Sequence, residues 1–259
     1  KNNDKKGEAE SYLYTGKVLV GLRDFDKGIE SYQKAINLSA DILEIDKENI
    51  QTQANVSLAT VYFLQGKLKQ AIDCYEGLIR LYGDKQKFAL AVQTYNGLAG
   101  SLILVGNWTR AEELLEKSLT LARKQQDDYG ESLALAQYGL LYTLTGRFNE
   151  AKPSLNFALE LAQQIRAKDL ESFCEVNLGK LYLFLGEKEQ ALIHLKPALE
   201  TSLSINRIDY AVEAQLAFVE ICLSENKLQQ AQAGLKIARD WLGEEKNLLL
   251  IGKLLYYEA

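Results

Sequence analysis

The chain has 259 residues, of which 25% are charged and 47% are hydrophobic, and these values are ordinary for a folded domain. It contains only 2 prolines, which disfavours a loop-rich fold and favours long helices. The formal net charge is −5 without any block of basic residues, so we expect no nucleic-acid surface in this segment. No apolar run in the sequence approaches the roughly 20 residues that cross a bilayer, so no membrane contact is predicted.

The three cysteines are Cys74, Cys174 and Cys222, an odd number at wide spacing. None belongs to a CxxC motif or stands near the single histidine, so the sequence predicts neither a disulfide framework nor a zinc site. We interpret them as buried thiols on helices, which favours a reducing, cytoplasmic compartment. The first residue is a lysine and the last residues form an apolar helical run, so we interpret the sequence as a segment of a longer protein.

A repeated pattern organises the chain from its first element to its last. The first copy places Gly28 just after a predicted turn, and alanine takes this position in every later copy. These alanines are spaced by 40 residues: Ala71, Ala111, Ala151, Ala191 and Ala231. The spacing predicts one solenoid domain over 1–259, with repeats at roughly 9–51, 52–91, 92–131, 132–171, 172–211 and 212–246, and a partial or capping helix at 247–259.

The pattern of each copy predicts two helices joined by a short turn. In the fourth copy, apolar residues recur at helical spacing over Ser132 to Leu144 and again over Asn149 to Gln164. A residue that tolerates the left-handed conformation marks the turn, because such a residue ends a helix and allows a tight reversal. These turn residues are Gly66, Gly106, Gly146 and Gly186, with Asn226 in the sixth copy.

A small residue stands on each first helix, seven positions before the turn glycine: Ala59, Ala99, Gly139 and Gly179. A minimal side chain at this position lets the two helices of a pair approach closely. One helix pair cannot cover its own apolar face, so the copies are expected to stack. Of the two prolines, Pro153 is predicted in the first turn of its helix, and Pro197 is predicted to bend the interior of another.

The order of residues in these copies resembles the tetratricopeptide repeat family. In the fourth copy, the small, aromatic, turn, bulky and alanine positions are Gly139, Tyr142, Gly146, Phe148, Ala151, Leu155 and Ala158. The 40-residue length exceeds the usual repeat of about 34 and is similar to a long-helix subclass in bacterial sensor-regulators and polarity scaffolds. The resemblance implies an all-α fold, a right-handed α-α superhelix of six helix pairs plus a terminal helix.

The resemblance also implies that the first helices line a concave face along which a partner lies. Carried over by position, it gives these partner-binding candidates: Phe63, Asn96, Gln137, Thr143, Phe173, Asn177, Lys180, Glu213 and Glu220. Amides beside apolar pockets suit an extended peptide, whereas an amphipathic helix would use the apolar pockets alone. The alternative is that several of these positions pack inside an elongated helix pair. Chaperone-binding members of the family clamp a carboxylate with a set of lysine, asparagine and arginine residues. Only Asn177 and Lys180 correspond to that set here, so a chaperone-tail adaptor is not expected.

No catalytic residue, metal site or cofactor is predicted. The only histidine, His194, lies between apolar residues, and no paired acid–base groups or nucleotide-binding glycine motifs occur. The leading hypothesis is a non-catalytic interaction module that binds a protein or peptide along its concave face. The alternative is a ligand- or peptide-sensing domain that controls an attached transcription regulator or signalling enzyme. A third possibility is an architectural role, in which another part of the same protein fills the groove. The sequence predicts no oligomeric state.

Overall fold

The computed structural model describes residues 4–82, 90–243 and 247–258, and every regular element within these ranges is an α-helix. The all-α prediction is therefore confirmed. The predicted domain 1–259 also includes residues 1–3, 83–89, 244–246 and 259, which lie outside the described residues, as do the ends of the repeats predicted at 52–91 and 212–246.

Thirteen helices follow one another in the described part of the chain: α1 (Lys5–Gly21), α2 (Phe25–Ser39), α3 (Glu44–Leu64), α4 (Leu68–Tyr82), α5 (Ala91–Leu104), α6 (Trp108–Gln125), α7 (Asp128–Leu144), α8 (Phe148–Gln164), α9 (Lys168–Phe184), α10 (Lys188–Ser204), α11 (Ile208–Ser224), α12 (Leu228–Leu242) and α13 (Leu248–Glu258). First and second helices of the pairs alternate along the described part of the chain, as the repeat pattern predicts. The first helices of the six pairs begin between one and eight residues ahead of the predicted repeat starts; α7, for example, begins at Asp128, four residues ahead of 132.

The chain divides into two compact units, Lys1–Val105 and Gly106–Ala259. In unit 1, α1 packs on α2 and α3 packs on α4, while the first helices α1, α3 and α5 contact one another in order. Leu13, Tyr32 and Ile50 are buried in its core cluster. In unit 2, the pairs are α7/α8, α9/α10 and α11/α12, and the first helices α7, α9, α11 and α13 contact one another in order. Leu155 and Leu195 are fully buried in its core.

The turns within the helix pairs have the conformation that the sequence predicts. The φ angles of Gly66, Gly106, Gly146 and Gly186 are 69°, 81°, 75° and 75°, and that of Asn226 is 58°. The residue after Gly66, Gly146 and Gly186 closes the helix end; for example, the amide of Arg147 donates to the carbonyl oxygen of Tyr142 at 2.8 Å. This is the hydrogen bond of a Schellman motif, which satisfies a carbonyl group at the helix end.

The turns that follow α6, α8 and α10 use the same motif without glycine. Gln126, Arg166 and Asn206, again 40 residues apart, have φ angles of 56°, 58° and 57°. The amide of Ala167 donates to the carbonyl oxygen of Ala162 at 2.9 Å, which closes the end of α8 in the same way. Both kinds of reversal in unit 2 therefore depend on one left-handed residue.

The small residues occupy the close contacts that the pattern predicts. A Cβ atom on Gly139 would stand 2.3 Å from Cγ of Leu155, and one on Gly179 would stand 2.5 Å from Cδ2 of Leu195. Ala151 and Ala191, at the start of the second helices, are fully buried. The first and second helices of these pairs therefore touch where their side chains are smallest.

Two minor predictions need correction. Pro153 is the sixth residue of α8, not a residue of its first turn, so it removes an interior backbone donor. Pro197 is interior to α10, as predicted. Of the three cysteines only Cys174 is buried, whereas Cys74 and Cys222 are partly exposed.

The described residues contain neither a membrane-spanning helix nor a cluster of metal ligands. None of their helices is both long and apolar enough to span a membrane. No group of three or more histidine, cysteine, aspartate or glutamate side chains among them is placed to hold a metal ion.

Candidate functional site

A network of charged side chains lies on one side of unit 2. We call this side, formed by α7, α9, α11 and α13, the first-helix face. Glu213 on α11 forms ion pairs with Lys180 on α9 through Oε2 and with Lys253 on α13 through Oε1. One carboxylate thus bridges two ammonium groups on the two neighbouring helices. The side chains are half-buried, with exposed fractions of 28% for Lys180 and 16% for Glu213.

The same face continues toward the C-terminal end of α11. The hydroxyl group of Tyr257 on α13 donates to Oε2 of Glu220 at 3.2 Å. Lys253 and Tyr257 are absent from the predicted site residues, although the sequence contains the signal for both. Lys253 stands 40 residues after Glu213, and Tyr257 stands two such periods after Asn177.

Burial affects the two lysines of the network. It lowers the pKa of Lys253 to about 8. Burial and the neighbouring ammonium group of Lys253 lower the pKa of Lys180 well below its usual range. Two like charges that share one carboxylate in a half-buried position favour an additional negative group nearby.

Aromatic side chains lie at the other end of α9 and α11. The rings of Phe173 and Tyr210 are 5.5 Å apart between centroids, and the guanidinium carbon of Arg207 lies 3.8 Å from the centroid of Tyr210. Arg207 donates two hydrogen bonds to the carboxylate of Asp209, at 3.0 and 2.7 Å. Burial raises the pKa of Tyr210 to about 12. This end of the face combines apolar ring surface with a fixed cation.

The predicted amide and hydroxyl residues are buried. Asn177 is 3% exposed and its Nδ2 donates to the carbonyl oxygen of Phe173 at 2.7 Å, within the same helix. Thr143 Oγ1 donates to the carbonyl oxygen of Gly139 at 2.7 Å. Gln137 is 7% exposed, and its Oε1 has no hydrogen-bond partner among the residues that the structure describes. Since buried polar atoms are almost always paired, this oxygen is unusual.

The predicted site residues fall in both units. Phe63 on α3 is half-buried and Asn96 on α5 is buried, and both belong to unit 1. The other candidates lie in unit 2, where Phe173, Lys180 and Glu213 are half-buried and Glu220 is exposed. The structure therefore brings a charged subset together on adjacent helices and places the amides within the packed layer.

One row of equivalent positions on the first helices, which includes the candidate Asn96, packs into the interior in both units. It lies three residues before the small position and consists of Val56, Asn96, Ala136, Val176 and Leu216, all at most 4% exposed. The burial of this row matches the alternative expectation that several candidate positions pack inside an elongated helix pair. The row five residues after the small position is more exposed and includes Leu144 and Phe184, which are 41% and 61% exposed.

Three family models described as tetratricopeptide repeat match the chain. One covers residues 90–164 and 131–204, a second covers 53–85, and a third covers 3–42. Together they cover most of the sequence. No curated protein sequence matches the chain.

Several solved structures resemble the chain. A Rap protein complexed with Competence and Sporulation Factor is 16% identical over 97% of this chain and 75% of that chain, with a TM-score of 0.70. NprR in complex with its cognate peptide NprX is 16% identical over 96% of this chain and 70% of that one, with a TM-score of 0.75. Aspartyl phosphate phosphatase F from Bacillus subtilis is 12% identical over 97% and 69%, with a TM-score of 0.62. At these identities the likeness concerns the fold alone.

Proposed function

Because the chain belongs to the tetratricopeptide repeat family, we propose that it is a non-catalytic interaction module that binds a peptide along the first-helix face of unit 2. The observation that carries this proposal is the bridge of Lys180, Glu213 and Lys253 across α9, α11 and α13. A surface helix of a stack has no structural need for such a bridge, since apolar side chains of similar size stabilise a contact at least as well.

The bridge offers hydrogen-bond groups to a ligand. A lysine ammonium group has three donors, and each of Lys180 and Lys253 uses one on Glu213 within the described part of the chain. The remaining donors suit a carboxylate or the carbonyl groups of an extended peptide. Glu220, which is exposed, supplies an acceptor beside them.

Apolar surface lies at a fixed distance from these charges. Phe173 and Lys180 are seven residues apart on α9, which corresponds to about 10 Å along the helix. An extended peptide covers this distance with about three residues. We therefore infer a ligand in which an apolar side chain, directed at Phe173 and Tyr210, precedes or follows an acidic group by about three residues.

A sensing role is the second candidate, and one specific observation favours it. The bridge joins three successive first helices, so a ligand carboxylate that replaces Glu213 as the partner of a lysine alters the contact between α11 and α13. In a stack where each repeat contacts only its neighbours, such a change is passed along the array. Of the structures that resemble this chain, the Rap protein is complexed with Competence and Sporulation Factor and NprR with its cognate peptide NprX, which supports this candidate.

The test is a binding measurement with matched variants. Peptides selected from a random library against the chain are titrated calorimetrically into wild type, Phe173→Ala and Lys180→Gln. We expect each substitution to weaken binding by about tenfold, the loss of one buried contact. Phe157→Ala and Lys196→Gln are the controls, since both residues are exposed on second helices. Equal losses in face and control variants, or no peptide bound by wild type, would refute the proposal, and thermal unfolding verifies that each variant is folded.

A further inference from the structure

The charged bridge on the first-helix face holds an acid where the proposed peptide site receives the acidic group of its ligand. Glu213 contacts Lys180 through Oε2 and Lys253 through Oε1, so a single carboxylate occupies both ammonium groups. Its side chain is 16% exposed, whereas those of Lys180 and Lys253 are 28% and 39% exposed. The acid of the bridge is thus less exposed than the two groups that a ligand would use.

A second carboxylate, that of Glu220, already lies beside the bridge. It favours the charged form of Lys180 and so opposes the lowering of the pKa of that lysine. Tyr257 donates a hydrogen bond to Glu220 without adding a charge. Two ammonium groups therefore stand beside two carboxylates, and a ligand carboxylate would be the third. Because like charges in a half-buried position disfavour one another, the third carboxylate binds well only if one of the two gives up its place.

The positions of the two glutamates decide which of them is exchanged. Glu220 stands 40 residues after Lys180, at the equivalent position of the next first helix, and it is exposed. Glu213 stands seven residues earlier, about two turns away along α11, yet it is the residue that holds both lysines. When the side chain of Glu213 turns away, Lys180 still has Glu220 at the neighbouring position. The place between Lys180 and Lys253 is then open to a ligand.

The exchange replaces one carboxylate with another. A ligand carboxylate has two acceptor oxygens and so bridges the same two ammonium groups as Glu213 does. Ion pairs at partly exposed positions contribute little net free energy, so the bridge opens at small cost. Only the open fraction of molecules binds an acidic group between the lysines, and the apparent affinity is reduced in proportion to that fraction.

We propose that Glu213 is an internal competitor of the ligand, a carboxylate of the chain that occupies Lys180 and Lys253 until an acidic group of the ligand displaces it. Glu213 thereby determines specificity, because a neutral or basic group does not replace it on two ammonium groups. This role depends on the proposed peptide site of unit 2 and adds the regulation of that site. A bridge that is closed about nine-tenths of the time lowers the apparent affinity about tenfold.

The test compares two variants that change the net charge equally. Glu213→Gln removes the competing charge and keeps the size of the side chain. Glu220→Gln removes one charge from the same helix and leaves the bridge in place. Peptides that contain an acidic residue, selected from a random library against wild type, are titrated calorimetrically into each protein. Glu213→Gln should bind about tenfold more tightly than wild type, whereas Glu220→Gln should change the affinity by about twofold at most, because an exposed charge has a small effect.

A small anion examines the two lysines without any peptide. Sodium acetate is titrated into the isotope-labelled chain, and the backbone amide signals of Lys180 and Lys253 are followed by nuclear magnetic resonance. The acetate concentration at half-saturation should be about tenfold lower in Glu213→Gln than in Glu220→Gln. If no peptide binds any of the proteins but acetate gives this difference, the peptide site is refuted and competition by Glu213 is upheld. The two failures are therefore distinguishable.

Two outcomes would overturn the role of Glu213. One is that Glu213→Gln binds peptide and acetate no more tightly than Glu220→Gln, because charge alone then accounts for the effect. The other is weaker binding by Glu213→Gln, which would show that Glu213 contributes to the ligand contact. Thermal unfolding verifies that each variant is folded. If Glu213→Gln is unfolded, Glu213→Asp takes its place; its shorter side chain cannot hold both lysines, and affinities equal to those of wild type would overturn the proposal.

Discussion

Replacing Gly139 with alanine tests how closely the two helices of a pair approach. The added Cβ would stand 2.3 Å from Cγ and 2.6 Å from Cδ2 of Leu155, and 3.3 Å from the carbonyl oxygen of Ala151. Ordinary carbon contacts begin near about 3.5 Å, so the overlap exceeds about 1 Å. Leu155 is fully buried, and in a close-packed core it moves aside only if its neighbours move too. The strain must therefore separate α7 from α8.

The change in the free energy of unfolding of Gly139→Ala is the balance of two opposing effects. Overpacking of a filled core costs about 1–3 kcal/mol. The change from glycine to alanine in a helix returns up to about 1 kcal/mol. We expect a net loss of about 1–2 kcal/mol in the free energy of unfolding. Gly252→Ala on α13 is the matched control, because no described atom lies within 4 Å of its added Cβ. This variant should gain about 0.5–1 kcal/mol.

Urea unfolding followed by far-ultraviolet circular dichroism measures both effects. The urea concentration at the midpoint of unfolding should fall for Gly139→Ala and rise for Gly252→Ala. The dependence of the free energy of unfolding on urea concentration should stay unchanged. Adding Leu155→Ala to Gly139→Ala should cost less than the sum of the single changes, because the shortened side chain relieves the overlap. A Gly139→Ala midpoint at or above that of wild type would refute the close approach of α7 and α8.

The remaining predictions concern the turns, a buried tyrosine and the unpaired amide. Gly146→Ala should lower the free energy of unfolding by about 1 kcal/mol, because φ at this position is 75°. Arg166→Gly should raise the free energy of unfolding, because φ there is 58°. Urea midpoints equal to that of wild type would contradict both expectations. Burial raises the pKa of Tyr75 to about 12, so the folded state keeps a proton that the unfolded state loses above pH 10. Stability should therefore fall from pH 10 to 12, and Tyr75→Phe should reduce the loss by about 1.4 kcal/mol at pH 11 in urea titrations; identical pH profiles would argue against it. Gln137→Leu should raise the thermal midpoint, because Oε1 is buried without a partner among the described residues, and a lowered midpoint would show that the oxygen is paired.

The features predicted correctly from sequence are those that a single residue determines. A left-handed turn requires glycine or asparagine unless other contacts fix it, so Gly146 and Asn226 mark turns directly. The turns at Gln126 and Arg166 were missed because neither residue prefers that conformation. They adopt it because the packing of the next helix pair determines where α6 and α8 end.

Helix geometry explains why some of the candidate site residues lie in the interior. At about 100° per residue, Asn96 lies only about 60° round the helix from the packed position of Ala99, which places it in the interior. Lys180 lies about 100° from Gly179, and Phe173 lies about 120° from it, at the edge of the packed layer. The repeat pattern identifies the helix that lines the face but does not give the width of its exposed sector. That width depends on how closely neighbouring first helices pack.

The polar groups on the first-helix face weigh against stability and in favour of binding. Desolvating Lys180, Glu213 and Lys253 costs energy that their mutual attraction only partly returns, and apolar side chains in the same rows would pack at least as well. The oxygen of Gln137 carries the same kind of cost. Residues that lower stability while projecting toward one face are typical of sites retained for a ligand. The row three residues before the small position, which packs into the interior, is by contrast apolar except for Asn96. This division of polarity between the rows of one helix is why the first-helix face, rather than the second helices, is the best candidate for the peptide site.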